Sequence, residues 1–141
     1  MNKKLAIIIP VRMGSKRLKN KNILPIKGLP MFVYVAKEAK KSKNKPTIFI
    51  SSESKKIRDL CKNFNLNFIQ RPNKLSSHTA EKQEAIVHGA NFIFKKFKIK
   101  PKIIVSLQCN SPEFNYKDFD KALTMFKKKF PKKKKKRVNF C

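Results

Sequence analysis

The chain has 141 residues, and its 36 lysine and arginine residues against 8 acids give a net charge of +28. This length supports one domain with a hydrophobic core, and it contains neither a membrane-length apolar stretch nor a recognisable secretory signal. The spacing of Cys61, Cys109 and Cys141 fits neither a disulfide framework nor a zinc site. We therefore predict a cytoplasmic protein with reduced thiols and no membrane partner.

The excess of positive charge does not by itself identify a partner. Lysine supplies 31 of the 36 cations, whereas arginine is the preferred reader of bases and phosphates because its planar fork bonds bidentately. Lysine, asparagine, isoleucine, phenylalanine, tyrosine and methionine, which have AT-rich codons, fill 75 positions. The base composition of the gene therefore explains most of the lysine, although such a surface still binds polyanions nonspecifically at low salt.

The hydrophobic pattern alternates between strands and helices along the chain. Residues 5–10 form an apolar run without polar alternation, which is typical of a strand buried on both faces of a parallel sheet. A helix is predicted from Pro30 to about residue 42, and a second short strand over residues 47–51. The segment Ser52-Glu53-Ser54 can cap a second helix, whose apolar face carries Ile57, Leu60, Cys61 and Phe64.

The second half of the chain continues this alternation. We predict a third strand over residues 67–70, a long helix over 81–96, a fourth strand over 103–107 and a last helix from about 115 to 126. This order predicts an α/β fold with a doubly wound, mostly parallel sheet. Because the carboxyl ends of parallel strands meet at one edge, the polar segments that follow the strands are expected to converge on one crevice.

A glycine, a serine and several cations follow the first strand directly. Gly14 allows the backbone to approach a ligand closely, and free N–H groups at Gly14 and Ser15 can bind phosphate oxygens. Arg12, Lys16 and Lys21 supply positive charge. The segment matches neither G-x-x-x-x-G-K-[ST] nor G-x-G-x-x-G. It nevertheless predicts an anion site at the end of the first strand.

Three ordered sequence blocks carry a resemblance to a known family. They are the segment from Ile9 to Arg17 with Lys21-Asn22 and Gly28-Leu29-Pro30, then Arg71-Pro72-Asn73-Lys74-Leu75, then Leu107-Gln108-Cys109-Asn110-Ser111-Pro112. Together they resemble the signature of the sugar-acid cytidylyltransferases, and most closely the acylneuraminate branch, the CMP-N-acetylneuraminic acid (CMP-sialic acid) synthetases. The resemblance covers about the first 125 residues and only the amino-terminal part of such an enzyme.

The resemblance implies a Rossmann-like nucleotidyltransferase fold and transfer of CMP from CTP to a sialic-acid-like sugar acid, with release of pyrophosphate. From their charge and position we predict catalytic roles for Arg12, Lys16 and Lys21 at a phosphate site that includes the backbone of Gly14 and Ser15. The resemblance implies that Arg12 and Asn22 also hold the nucleotide and that Arg71 contacts the cytosine or a nearby loop, with an exposed loop arginine as the alternative. The residues predicted to bind the nucleotide are Arg12, Gly14, Ser15, Lys16, Lys21, Asn22 and Arg71. Gln108 faces the sugar acid in this family.

Mg²⁺ is the cofactor that the resemblance implies. The metal-binding aspartates of the family lie in a second half beyond the resemblance, so no residue of this chain is assigned to the metal. The same second half carries contacts of an expected homodimer. Asp118 and Asp120 imitate a metal-binding pair, but their place at the start of the last helix predicts first-turn acids that interact with the helix dipole.

Several residues depart from the family pattern. His78 stands where an acid is expected and Lys82 where a serine is expected, while Cys109 and Asn110 replace a proline and a threonine. His88 lies on an apolar helix face and is predicted to pack there. Neither histidine has partners at the spacing of metal ligands, so no zinc site is predicted.

Two segments are predicted: residues 1–126 as the nucleotide-binding half of a cytidylyltransferase domain, and residues 127–141 as a lysine-rich, disordered tail. Lysine runs in AT-rich genes are adenine runs, so we hypothesise that a frameshift or gene-prediction break truncated the protein there. Besides an incomplete sugar-acid cytidylyltransferase, two alternative functions are open. One is a nucleotidyltransferase for another sugar, and the other is a non-catalytic basic protein that binds nucleic acid.

Overall fold

Five parallel strands with helices on both sides organise the protein. The structure is a computed structural model that describes residues 2–12, 23–72, 82–111, 113–130 and 136–140. In chain order its elements are β1 (Asn2–Pro10), β2 (Pro25–Ile26), β3 (Leu29–Pro30), α1 (Met31–Lys40), β4 (Pro46–Ser52), α2 (Lys55–Asn63), β5 (Asn67–Gln70), α3 (Lys82–Phe92), β6 (Ile103–Leu107), α4 (Tyr116–Lys129) and β7 (Lys136–Phe140).

The main sheet has the strand order β5–β4–β1–β6–β7, and every neighbouring pair is parallel. β2 and β3 form a separate antiparallel pair. The predicted α/β class with a mostly parallel sheet is confirmed, as are the four predicted strands and four predicted helices. The position of β1 in the middle of the order explains why its sequence is apolar without interruption.

Successive residues of β1 point into two different hydrophobic cores. Leu5, Ile7 and Ile9 pack in the core that contains residues of α1, α2 and α4. Ala6 and Ile8 pack in the core beneath α3. All five side chains are at most 2% exposed, so the strand is covered on both faces and the sheet is doubly wound, as predicted.

Short polar side chains begin two of the helices. Ser54 Oγ accepts a hydrogen bond from Ile57 N at 3.3 Å at the start of α2, and Asn115 Oδ1 accepts one from Lys117 N at 2.7 Å at the start of α4. Such caps accept hydrogen bonds from the first backbone N–H groups of a helix, which have no acceptor within the helix. None of the helices in the described ranges is long and apolar enough to cross a membrane.

Two local features were not predicted. The hairpin between β2 and β3 turns through Lys27 and Gly28, whose φ angles of 52° and 80° are the pair of positive values that a tight type I′ turn requires. α3 continues into a π-helical turn over Ile93–Phe97. The helix then ends at Lys98, whose φ of 56° is left-handed.

The carboxyl-terminal segment differs from its prediction. α4 continues through Lys129, and Lys136–Phe140 form strand β7, which pairs with β6 from Ile103 to Leu107. The helix and strand described at these residues differ from the disorder predicted from residue 127 onward, and the division into residues 1–126 and 127–141 stays a prediction. β7 contains one lysine and one arginine, Lys136 and Arg137, and its pairing with β6 is what makes this end of the segment regular. The frameshift stays a hypothesis that resequencing of the gene tests.

Candidate functional site

The carboxyl ends of the strands meet at one edge of the sheet. β4 and β6 flank β1, and β5 flanks β4. The backbone contacts continue past the last strand residues, because Val11 N donates to Ser51 O at 2.8 Å and Arg71 N donates to Ser52 O at 2.9 Å. β6 ends at Leu107 on the other side of β1. The predicted convergence of the strand ends is confirmed, at the edge where open α/β sheets bind ligands.

Arg71 follows β5, at one end of the sheet order, and its side chain reaches across to the end of β1. It is 4% exposed. Its Nη2 donates to Val11 O at 3.3 Å and lies 3.6 Å from Glu53 Oε2. Burial lowers the pKa of Arg71, and the Glu53 carboxylate acts in the opposite direction. The guanidinium thus joins the ends of β1, β4 and β5. This position fits the predicted contact with a loop at the site, whereas a contact with the base stays a prediction.

Glu53 contacts Arg71 at this edge, although the sequence pattern does not assign it to the site. The pattern assigns it only to the cap of α2, but the capping side chain is Ser54. Glu53 Oε2 accepts a hydrogen bond from Ser52 Oγ at 3.0 Å, and Gln70 Nε2 donates to Glu53 O at 3.4 Å. The chain has only 8 acids, and Glu53 follows a buried strand directly. This position is the sequence signal that could have identified Glu53.

Arg12 and Gln108 lie at the same edge as Arg71. Arg12 follows Val11 at the end of β1, is half-buried, and its positive charge further lowers the pKa of Arg71. Gln108 follows Leu107 at the end of β6 and is also half-buried. The edge therefore combines two guanidinium groups with a side-chain amide, which can both donate and accept hydrogen bonds.

The remaining predicted site residues lie outside the described residues. They are Gly14, Ser15, Lys16, Lys21 and Asn22. His78, which stands at the expected acid position, lies outside them as well. The nucleotide-binding roles of the five, and the catalytic roles of Lys16 and Lys21, stay predictions.

The two described cysteines differ in their surroundings. Neither Cys61 nor Cys109 has a disulfide partner within the described ranges. Burial raises the pKa of Cys61 to about 12, so this thiol is inert in the core beneath α2. Cys109 is buried close enough to Arg71 for the two groups to interact electrostatically. Cys109 lies two residues after the end of β6.

Three buried polar atoms beneath or on α3 have no hydrogen-bond partner in the described part of the chain. They are Ser51 Oγ, Ser106 Oγ and His88 Nδ1. Buried polar groups are usually paired, because an unpaired one costs about 1–3 kcal/mol. Their presence near the edge indicates a region suited to a polar ligand group or bound water. His88 also contacts Phe92, with ring centroids 6.1 Å apart, in agreement with its predicted packing role.

We expect His88 to make the protein less stable at mildly acidic pH. Burial, and then the positive charge of Arg71, lower the pKa of His88 below its ordinary value of 6.5. The unfolded chain therefore binds a proton more readily, so stability is full above the unfolded pKa and falls as the pH drops through it. His88→Gln should flatten the dependence of the unfolding free energy on pH between about pH 7 and pH 5. Urea unfolding across that range measures it.

His78→Gln is the matched control, because it removes the other histidine of the chain. An unchanged pH dependence in His88→Gln, or the same flattening in both variants, contradicts the assignment to His88.

Side chains of metal-ligand type do not gather at one place in the described part of the chain. No three histidine, cysteine, aspartate or glutamate side chains cluster within the described ranges. Asp118 lies in the first turn of α4, as predicted, but Asp120 does not act as a first-turn acid. It is 7% exposed and accepts hydrogen bonds from the loop after α1. Its carboxylate is therefore engaged in the fold rather than open to a cation.

Known proteins that are similar to this chain are cytidylyltransferases. The family model described as "Cytidylyltransferase" matches residues 6–139. An N-acylneuraminate cytidylyltransferase of Escherichia coli is 31% identical over 89 residues, which are 63% of this chain and 21% of that protein. A 3-deoxy-manno-octulosonate cytidylyltransferase of Chloroherpeton thalassium is 26% identical over 123 residues, which are 87% of this chain and 46% of the relative. The matched part of the chain thus spans less than half the length of either relative.

Solved structures share the architecture. The structure of a CMP:2-keto-3-deoxy-manno-octonic acid synthetase complexed with CTP matches with a TM-score of 0.75 at 23% identity. The match covers 89% of this chain and 48% of that one. The likeness shows the fold alone, a nucleotidyltransferase-type α/β sheet. Because the family model extends over nearly the whole sequence, this chain belongs to the cytidylyltransferase family.

Proposed function

We propose that the carboxyl edge of the sheet binds CTP, and that the protein transfers CMP from CTP to a sugar acid with release of pyrophosphate. The observation that carries this proposal is the presence of Arg12, Arg71 and Gln108 together at one edge of a cytidylyltransferase sheet. Cations and an amide at the carboxyl ends of parallel strands suit a ligand that combines a triphosphate, a base and a polar sugar.

In this proposal the residues after β1 bind the triphosphate. Arg12, Lys16 and Lys21 neutralise charge on the phosphates and on the departing pyrophosphate, while N–H groups of Gly14 and Ser15 bind phosphate oxygens. Such transfer depends mainly on positioning and electrostatic stabilisation. Mg²⁺ supplies further charge neutralisation in enzymes of this kind, and no residue of this chain is assigned to it.

The base and the sugar acid are assigned to the other strand ends. Asn22 and Arg71 hold the nucleoside, and Gln108 faces the acceptor. The relatives act, by their names, on N-acylneuraminate, 3-deoxy-manno-octulosonate and pseudaminic acid. We propose a sialic-acid-like acceptor because the sequence blocks resemble that branch most closely. Pyrophosphate release with CTP and each of these acids tests the choice, and a faster reaction with an octulosonate overturns it.

We expect Arg12→Ala to raise the Kd for CTP by at least about tenfold, because a charge-assisted contact to phosphate is lost. Isothermal titration calorimetry measures the affinity. Arg58→Ala is the matched control, since it removes another arginine whose side chain is 49% exposed on α2. This variant changes the net charge equally and should bind CTP as the wild type does. Equal effects in the two variants contradict a specific role of Arg12.

The net charge of +28 supports a second candidate, a basic protein that binds nucleic acid. This candidate predicts binding to single-stranded RNA with a steep dependence on salt and no preference for CTP over other nucleoside triphosphates. CTP-selective binding that persists at about 150 mM salt supports the enzyme instead. The same titrations therefore decide between the two candidates.

A further inference from the structure

We infer that Glu53 is a positioning residue of this edge. Its carboxylate holds Arg71 against the end of β1 and thereby sets the geometry with which the edge binds a nucleoside triphosphate. The inference rests on the proposed function, and it adds a residue that neither the three sequence blocks nor the predicted site contains.

The buried charge of Arg71 requires a counter-ion. A guanidinium that is 4% exposed has lost most of its hydration, and a buried charge without compensation is strongly unfavourable. Glu53 Oε2 lies 3.6 Å from Arg71 Nη2, and the Glu53 side chain is 17% exposed. The carboxylate therefore compensates the arginine inside the protein rather than in solvent.

The second step is that the carboxylate is itself held in place. Ser54 N donates to Ser52 Oγ at 3.1 Å, which leaves the hydroxyl proton of Ser52 free to point elsewhere. Ser52 Oγ donates to Glu53 Oε2 at 3.0 Å, and Ser52 is fully buried. The start of α2 thus orients a buried hydroxyl, and the hydroxyl orients the carboxylate.

The third step connects the carboxylate to the binding edge. Arg71 Nη2 donates to Val11 O at 3.3 Å. The next residue is Arg12, whose positive charge is of the same sign as that of Arg71 and lowers the pKa of Arg71. Without the negative charge of Glu53, two arginines repel each other at the edge. Arg71 is then released from the Val11 carbonyl, and the exit of the chain from β1 loses its support.

A positioning role of Glu53 and simple electrostatics predict opposite changes in the Kd for CTP when the carboxylate is removed. Removing a negative charge near an anion site should tighten the binding of CTP by Coulomb attraction alone. If Glu53 positions Arg71, Glu53→Gln should instead weaken CTP binding by about tenfold, because the charge-assisted contact of a buried group is lost. The direction of the change in Kd therefore separates positioning from bulk charge.

The experiment is calorimetric titration of CTP into the full chain as wild type, Glu53→Gln, Glu53→Asp and Asp59→Asn. Asp59→Asn is the matched control, because it removes one negative charge from a side chain that is 64% exposed on α2. We expect weaker binding in Glu53→Gln, partial rescue in Glu53→Asp and no loss in Asp59→Asn. Unfolding curves identify the temperature at which all variants are folded, and the titrations are made there.

A double-mutant cycle tests whether Glu53 acts through Arg71. Methionine has a similar length to arginine and no charge, so Arg71→Met removes the group that Glu53 holds. Glu53→Gln should then cause no further loss of CTP affinity in the Arg71→Met background. Equal or tighter CTP binding in Glu53→Gln alone, or the same tenfold loss in both backgrounds, overturns the inference.

A wild-type chain that does not bind CTP contradicts the proposed function. The positioning role of Glu53 is then tested by the amide resonances of the protein without ligand. In that case Glu53→Gln should shift the amide resonances of Val11 and Arg12 more than Asp59→Asn does. Unchanged resonances at both positions overturn the inference as well.

Discussion

Replacing Asp120 by alanine is expected to lower the free energy of unfolding by about 3 kcal/mol. The carboxylate is 7% exposed and accepts three hydrogen bonds from the connection between α1 and β4. Ser42 Oγ donates to Oδ1, Asn44 Nδ2 donates to Oδ1 at 2.8 Å, and Lys43 N donates to Oδ2 at 3.1 Å. Alanine leaves these donors without their acceptor in a partly buried place, and each such loss is costly.

Asp118→Ala is the control for this substitution. Asp118 lies on the same helix, two residues earlier, and is exposed, so its loss should change stability by no more than about 0.5–1 kcal/mol through the helix dipole. Urea unfolding at neutral pH measures both variants. A larger effect for Asp118→Ala, or a negligible one for Asp120→Ala, contradicts the role of Asp120 as the tie between α4 and the loop.

The main sheet could be predicted because its strands are buried on both faces. The strands predicted at residues 67–70 and 103–107 agree with β5 (Asn67–Gln70) and β6 (Ile103–Leu107) at both ends. Short apolar runs that lack polar alternation are typical of central parallel strands, and the segments between them show helical periodicity. The doubly wound arrangement follows from the alternation of these elements.

The elements that were missed are fixed by distant partners or by very few residues. β2 and β3 have two residues each, too few for any periodicity. β7 begins at Lys136, the last residue of a lysine run, whose local pattern predicts a disordered and self-repelling segment. Its pairing with β6 is a contact with a strand about thirty residues away in sequence, which no local pattern encodes.

The sequence indicated which residues lie at the candidate site, but not which side chains contact each other there. Arg12, Arg71 and Gln108 follow strand ends, and the topology brings strand ends together. The contact of Glu53 with Arg71 joins the ends of two strands, so the local sequence indicates only a helix cap. The local sequence likewise places Asp120 only on a helix, whereas its role comes from a loop 76–78 residues away in sequence.

Gly89→Val is expected to lower the free energy of unfolding by about 3 kcal/mol through overpacking. A Cβ atom at Gly89 would lie 2.9 Å from Ile8 Cδ1 and 3.7 Å from Ile69 Cδ1. Ile8 and Ile69 are fully buried, so neither side chain can move aside into solvent. Gly89 therefore allows α3 to lie close against β1, even though glycine inside a helix is about 1 kcal/mol less favourable than alanine.

A double-mutant cycle with Ile8→Val tests this steric requirement directly. Ile8→Val removes Cδ1, the atom closest to the added Cβ, and should cost about 1 kcal/mol alone. Gly89→Ala should destabilise the wild type, but in the Ile8→Val background it should be neutral or stabilising, because the helix gain of alanine then dominates. Additive effects would mean that the close approach of α3 to β1 is not what requires glycine.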